Sequence, residues 1–278
     1  IQCLLKGSLA YTGKGHATDR AVVLGLNGYA PVELIDTNVA CLLGDLWDKE
    51  TLRIGDHKVA FEPSADVIFD RDHPLPEHPN AMLFRLLGKN DAVIFEKAFF
   101  SIGGGFISTR EAIGSLEAPL VMEDAAPFTF PFESGLDMLD MSEASGLTIA
   151  GMKRENEHLH HGDIELDRGL DTVWTAMKRT LPGGLNVQRR ACDLYEQLKA
   201  DSTATLNDWL CAYAMAVNEE NAAGHMVVTA PTNGAAGVIP AVLYYLVKHE
   251  NISLDQVHDF LLTSAAIGGL IKHRSSIS

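Results

Sequence analysis

Between Glu111 and Met152 the chain has no Lys or Arg, eight Asp or Glu, and prolines at 119, 127 and 131. Such a stretch sustains neither an apolar period nor a paired charge pattern, so it divides the chain into two parts. Before it, short apolar runs are bounded by turn residues. Ile1–Tyr11, His57–Phe61, Ala65–Phe69 and Ala92–Phe100 read as strands, and Thr18–Leu26 as a short helix closed by Gly28. Beyond about Leu136 the period becomes helical. Asp163–Leu181 places Ile164, Leu170, Val173, Trp174 and Met177 near one face and ends in Pro182-Gly183-Gly184. Thr205–Asn218 is a second apolar helix, and Ser253-Leu-Asp-Gln256 is a capping box opening a helix to about Lys272. The expected fold is an α+β domain over 1–110, an acidic Pro-containing connector over 111–135 and an all-α helical domain over 136–278.

With 46% apolar and 21% charged residues, the 278-residue chain has the balance of an ordinary globular protein. Its formal charge of −15 argues against nucleic acid or an anionic membrane as partner, because both reward clustered cations. No apolar run approaches the ~18 residues that a spanning helix needs. The longest, Gly237 to Val247, contains Pro240, and no signal peptide is evident. Cys3, Cys41, Cys192 and Cys211 are scattered without a Cys-x-x-Cys pair or zinc-like spacing, which fits reduced thiols in a cytoplasmic protein. The chain opens at Ile1 inside a strand pattern and stops at Ser278 just after an apolar helix, so an internal segment of a longer protein is expected.

Gly7-Ser-Leu-Ala-Tyr-Thr-Gly-Lys-Gly-His-Ala-Thr-Asp19 is the most informative stretch of the first domain. It is not a phosphate loop: five residues separate Gly7 from Gly13 where four are required, and Gly15 stands where Ser or Thr should hold magnesium. A glycine-rich turn entering a helix remains, with Lys14 beside free backbone N–H groups suited to a carboxylate or phosphate. A helix start near Ala17 would let His16 and Asp19 share a face as an imidazole–carboxylate pair, although a solvated turn explains the same residues. His73-Pro74 and His78-Pro79-Asn80 lie in a proline-stiffened loop. Ser101-Ile-Gly-Gly-Gly-Phe106 permits close approach of a ligand or forms a tight β-corner. Glu155-Asn-Glu-His158-Leu-His160-His161 has metal-site composition but poor spacing, because His160 points away from His158 and His161. The strongest signal is Asn218-Glu-Glu-Asn-Ala-Ala-Gly224 followed by Thr229-Ala-Pro-Thr-Asn-Gly-Ala-Ala-Gly237, two polar, small-residue runs between apolar helices. Their backbone needs partners that a ligand or a capped helical break would supply.

At these motifs the sequence resembles the iron-dependent bacterial L-serine dehydratases over essentially its whole length. The loop Gly7–Asp19, His78-Pro-Asn-Ala-Met82, Phe100-Ser-Ile-Gly-Gly-Gly-Phe-Ile107, Asn156-Glu157, Leu181–Ala191 and the run from Ala216 to Gly237 carry the resemblance in order. It implies β-elimination of water from L-serine to pyruvate and ammonia, a reaction of serine catabolism that feeds gluconeogenesis. It also implies a 4Fe-4S cluster as Lewis acid in place of pyridoxal phosphate. His16 or His78 would be the α-proton base, with His16 favoured because Asp19 could orient it, and Lys14 would hold the carboxylate. Asn80, Asn221, Thr232, Asn233, Gly234 and Ser276 would contact substrate, in a cytoplasmic homodimer.

Departures from the family pattern are Ala81 for a Gly, and Arg274 and Ser275 in the last segment. The cluster cysteines of the family fall beyond Ser278 and its serine-rich segment before Ile1. No residue of this chain is therefore assigned as a metal ligand, and the chain alone is expected neither to bind a cluster nor to turn over serine. A related iron–sulfur lyase acting on cysteine and a non-catalytic amino-acid-binding module are the alternatives.

Overall fold

A glycine at the end of the first strand sets the course of the chain. The computed structural model describes residues 1–34, 37–102, 106–114, 128–228 and 233–274, with backbone only at 233 and 272–274. Two compact units meet in sequence near position 116. The glycine triplet Gly103–Gly105, Thr232, Ser276 and positions 115–127 of the expected connector lie outside the described residues.

The first unit is α+β. Its strands are β1 (Gln2–Gly7), β2 (Thr51–Ile54), β3 (His57–Ala60), β4 (Val67–Asp70), β5 (Asn80–Leu87), β6 (Val93–Ser101) and β7 (Ile107–Thr109). Its helices are α1 (Ser8–Thr12), α2 (Thr18–Leu26), α3 (Val39–Trp47), α4 (Pro63–Asp66) and α5 (Arg110–Ile113). Five strands form one sheet in the order β4-β1-β5-β6-β7, with β1 parallel to β4 and antiparallel to β5. β2 and β3 make a separate hairpin, its turn opened by Gly55 at φ 57°. Alternation along β1 sends Cys3 and Leu5 into a core with Val22, Val23, Leu43, Leu46, Leu52, Phe61 and Val67.

The expected strand Ile1–Tyr11 is half strand and half helix. Gly7 takes φ 57°, turns the chain, and α1 follows at once. The expected strand Ala65–Phe69 likewise begins as α4, which Pro63 opens.

On the face of β1 opposite Cys3 and Leu5, Lys6 is only 5% exposed. Lys6 and Asp70 are register partners across the parallel β1–β4 pair. The Lys6 ammonium donates to Asp70 Oδ2 at 2.5 Å and to the His73 carbonyl at 3.0 Å, and Asp70 Oδ1 meets His73 Nδ1 at 3.1 Å. One buried cation thus pins the start of the 70–80 loop and compensates the carboxylate beside it.

The second unit is all helical: α6 (Gly135–Ser145), α7 (Ile149–His161), α8 (Asp163–Asn186), α9 (Arg190–Ala200), α10 (Leu206–Ala222), α11 (Val238–His249) and α12 (Leu254–Arg274). α10 packs against α8, α9 and α11, burying Tyr213, Ala216 and Val217 with Leu181, Ala191 and Ala241. Thr205 and Asp208 form a capping box at its start, and Ser253 and Gln256 exchange the same bonds before α12. α8 does not stop at Pro182 as the sequence suggests. It continues to Asn186, because Gly184 lies so close to α10 that a Cβ there would be 1.7 Å from the Ala216 carbonyl oxygen. That packing outweighs the helix-breaking tendency of Pro182 and two glycines. Among the described residues, no helix is long and apolar enough to cross a membrane.

Gly184→Ala should therefore destabilise the protein by about 1–3 kcal/mol through overpacking. Gly169→Ala, in the same helix with open space around it, should stabilise it by about 0.5–1 kcal/mol. Urea unfolding of both variants checks the contrast. The Lys6 hydrogen bond, with further help from His73, lowers Asp70 from its ordinary 3.8 to about 2. The stabilisation from this carboxylate is complete above pH 3.8 and lost as pH falls through about 2. Asp70→Asn should flatten the stability–pH curve in that window, as followed by thermal unfolding.

Candidate active site

Without a side chain, Gly7 admits a backbone contact that any other residue would block. A Cβ there would be 2.2 Å from the Pro79 carbonyl oxygen, which accepts the Ser8 N–H at 2.7 Å. Gly7 is also the register partner of Asn80. The start of the Gly7–Asp19 motif and the His78-Pro79-Asn80 motif, 71 positions apart at Gly7 and His78, are thereby locked together.

His78 is 7% exposed, its ring edge-on to Phe100 with centroids 6.3 Å apart. Its Nδ1 accepts the Asn80 N–H at 3.1 Å. Its Nε2 is enclosed and has no hydrogen-bond partner among the described residues. Leaving such a group unsatisfied costs about 1–3 kcal/mol, so its place in the fold calls for an explanation. The Asn80 side chain donates from Nδ2 to the Ser101 carbonyl at 3.4 Å, tying β5 to the end of β6.

Residues 13–17 form a tight turn. Thr18 N donates to the Gly13 carbonyl at 2.8 Å, and a Cβ on Gly13 would sit 2.3 Å from the Leu9 oxygen. Ala17 enters α2 with φ 56°, a left-handed conformation costly for a residue with a Cβ, and such outliers cluster at functional turns. The Asp19 side chain is 9% exposed and receives Lys14 Nζ at 2.9 Å on Oδ2 and Arg20 N at 3.0 Å on Oδ1. Both carboxylate oxygens are thus engaged, and the structure pairs Asp19 with Lys14 rather than with His16. The His16 ring is exposed and makes no hydrogen bond among the described residues. The Lys14 side chain is 75% exposed, with its ammonium 5.7 Å from the Phe69 ring centroid.

In the helical unit, Asn221 is half-buried in the last turn of α10 and is already engaged in an interaction there. Asn233–Ala235 forms a short 3-10 turn before α11, and among the described residues nothing lies within 4 Å of where a Cβ on Gly234 would sit. Neighbouring motif residues have structural work that the sequence did not reveal. Both Glu219 oxygens accept the Ala191 N–H at 3.2 Å, capping α9 with a negative charge where the helix dipole favours one. The Glu220 carboxylate meets His225 Nδ1 at 2.9 Å and occupies the space that a side chain on Gly183 would take. Asn156 is buried and pairs with the Phe130 backbone through two hydrogen bonds of 2.8 and 2.9 Å, as a strand would. His158 turns to Asp163 at 3.1 Å and His161 to Glu157 at 3.8 Å, while His160 lies edge-on to Phe128. Those histidines serve an exposed helix end.

The thiols present do not fit an iron–sulfur cluster. Cys3 is fully buried on β1, and burial pushes its thiol up to about 12, whereas a metal binds the thiolate. Cys41 is exposed on α3, Cys192 is half-buried on α9, and Cys211 is exposed on α10. Among the described residues, no three of His, Cys, Asp or Glu are grouped to hold a metal ion.

Residues 1–112 match the family model of the serine dehydratase beta chain, and residues 144–278 that of the serine dehydratase alpha chain. An L-serine dehydratase of Streptomyces coelicolor is 40% identical over 298 residues, spanning 100% of this chain and 64% of that protein. An L-serine dehydratase of Helicobacter pylori is 37% identical over 295 residues, spanning 100% of this chain and 64% of its own. L-serine dehydratase 2 of Escherichia coli is 37% identical over 292 residues, spanning 98% and 62% respectively. The chain spans about 64% of the length of the first of these curated relatives. With both family models matched in order and the likeness running from end to end, the chain belongs to the L-serine dehydratase family.

Proposed function

We propose that this protein eliminates water from L-serine, giving aminoacrylate, which rearranges to the imine and hydrolyses to pyruvate and ammonia. The observation that carries this reading is the lock between Gly7 and Pro79, which holds an enclosed, unsatisfied histidine at the end of β1. In the same unit, His16 stands on a strained, glycine-rich turn. Relatives that bear the name L-serine dehydratase support the choice of substrate.

The chemistry asks for a base to take the α-proton and for donors that hold the charged ends of the amino acid. His16 suits the base, since its ring is exposed and unengaged among the described residues. The Lys14 ammonium suits the carboxylate, with Asp19 anchoring the lysine in the turn. Asn80, Asn221, Thr232, Asn233, Gly234 and Ser276 remain the substrate contacts that the resemblance implies. A 4Fe-4S cluster, a homodimer and a cytoplasmic location belong to the same proposal and rest on the resemblance. The cluster's thiolates would have to come from outside the described residues.

Full-length protein carrying this chain, prepared anaerobically and assayed for pyruvate and ammonia from L-serine, L-threonine and L-cysteine, tests the reading; the 278-residue chain alone should be inactive. L-Serine should be the preferred substrate, and His16→Ala should lower kcat by about 10²–10⁴ with little change in KM. Preferred turnover of L-cysteine would favour a related lyase. Thermal stabilisation by L-serine without ammonia release would favour a binding module.

A further inference from the structure

The hydrogen bond to His78 fixes which of its nitrogens carries the ring proton. The Asn80 backbone N–H can only donate, so His78 Nδ1, 3.1 Å away, must be the bare acceptor nitrogen. In the neutral ring the hydrogen therefore sits on Nε2. That Nε2 is the enclosed atom with no partner among the described residues.

Resting on the serine-elimination reading, we propose that His78 is a fixed hydrogen-bond donor to an acceptor oxygen of the bound amino acid, and not the α-proton base. Neither nitrogen of the neutral ring has a lone pair to spare: Nδ1 is committed to Asn80, and Nε2 already holds its hydrogen. What the ring lacks is an acceptor. The amino acid offers two kinds of acceptor oxygen, the β-hydroxyl and the carboxylate, and a single Nε2–H can serve either.

The orientation is built rather than incidental. Asn80 N is held because Asn80 is the register partner of Gly7 and its side chain is tied to Ser101. Pro79 is held by Ser8 N. The far end of the same loop is pinned by Lys6 through Asp70 and the His73 carbonyl, and its middle by Arg110 to Glu77 at 2.7 Å. Lys6 and Gly7 are in this sense positioning residues for the donor. Because Nε2 is enclosed, a ligand that reaches it must displace a covering group, so binding should register directly at this nitrogen.

Nitrogen NMR of histidine-labelled full-length protein reads the tautomer, and His78→Gln identifies the resonance. The expected result is an Nε2–H tautomer for His78 in the ligand-free protein. Its Nε2 signal should shift on saturation with L-alanine, which has the carboxylate but no hydroxyl, or with ethanolamine, which has the hydroxyl but no carboxylate. A shift with L-alanine assigns the carboxylate, and one with ethanolamine the hydroxyl. An Nδ1–H tautomer, or an Nε2 signal that neither compound moves, would overturn the proposal. In the catalytic assay, His78→Gln, which keeps an N–H donor, should retain at least tenfold more kcat/KM than His78→Leu, and equal losses would count against a donor. The tautomer is read without turnover, so failure of the donor role and failure of the serine reading are distinguishable.

Discussion

One carbonyl oxygen organises the end of β1 and the loop that leads into β5. Pro79 O accepts the Ser8 N–H at 2.7 Å, in a space that exists only because position 7 has no Cβ. This contact sets the end of β1 at Gly7, the switch into α1, and the register that places Asn80 beside Gly7. The His78 ring then sits between Asn80 N and the edge of Phe100. Cooperation between a turn residue and a distant backbone carbonyl explains why two short motifs form one feature. The Lys6–Asp70 pair holds the other end of the loop with a buried charge, which tolerates little displacement because an unpaired ion would be left behind.

The helical unit relies on close approach in a different way. Gly184 sits against the Ala216 carbonyl and Gly237 against that of Ala214, both on α10. Small residues there let two helix backbones come closer than side chains would allow, and they account for glycines that could be mistaken for ligand contacts. Glu219 and Glu220 add charge to the same framework, one capping α9 and the other filling the space beside Gly183. Part of the polar run between Asn218 and Gly224 thus holds the scaffold on which the rest is displayed.

Where local chemistry decides the outcome, the sequence is readable. Thr18–Leu26 is a helix over its full expected span, and the Ser253–Gln256 box opens α12, because caps and period act within one turn. The division into a sheet-bearing and a helical half was legible for the same reason. Tertiary contacts were not. The end of β1 depends on a carbonyl 72 positions away, and the passage of α8 through Pro182 depends on α10. Lys6 gave a faint signal, a cation within an apolar strand, but its partner could be known only from the parallel pairing. His16 and Asp19 looked like a pair by spacing; the left-handed Ala17 and the reach of Lys14 gave Asp19 another partner. The unsatisfied Nε2 of His78 has no sequence signature, since burial and tautomer are both set by the fold.

The dependence of the site on the Gly7–Pro79 contact is tested most directly by amide hydrogen exchange in Gly7→Ala. Ser8 and Asn80 amides should lose protection together, while Leu4 and Leu5 in the same strand keep theirs. Unchanged protection at Ser8 and Asn80 would contradict the view that this contact holds His78 in place.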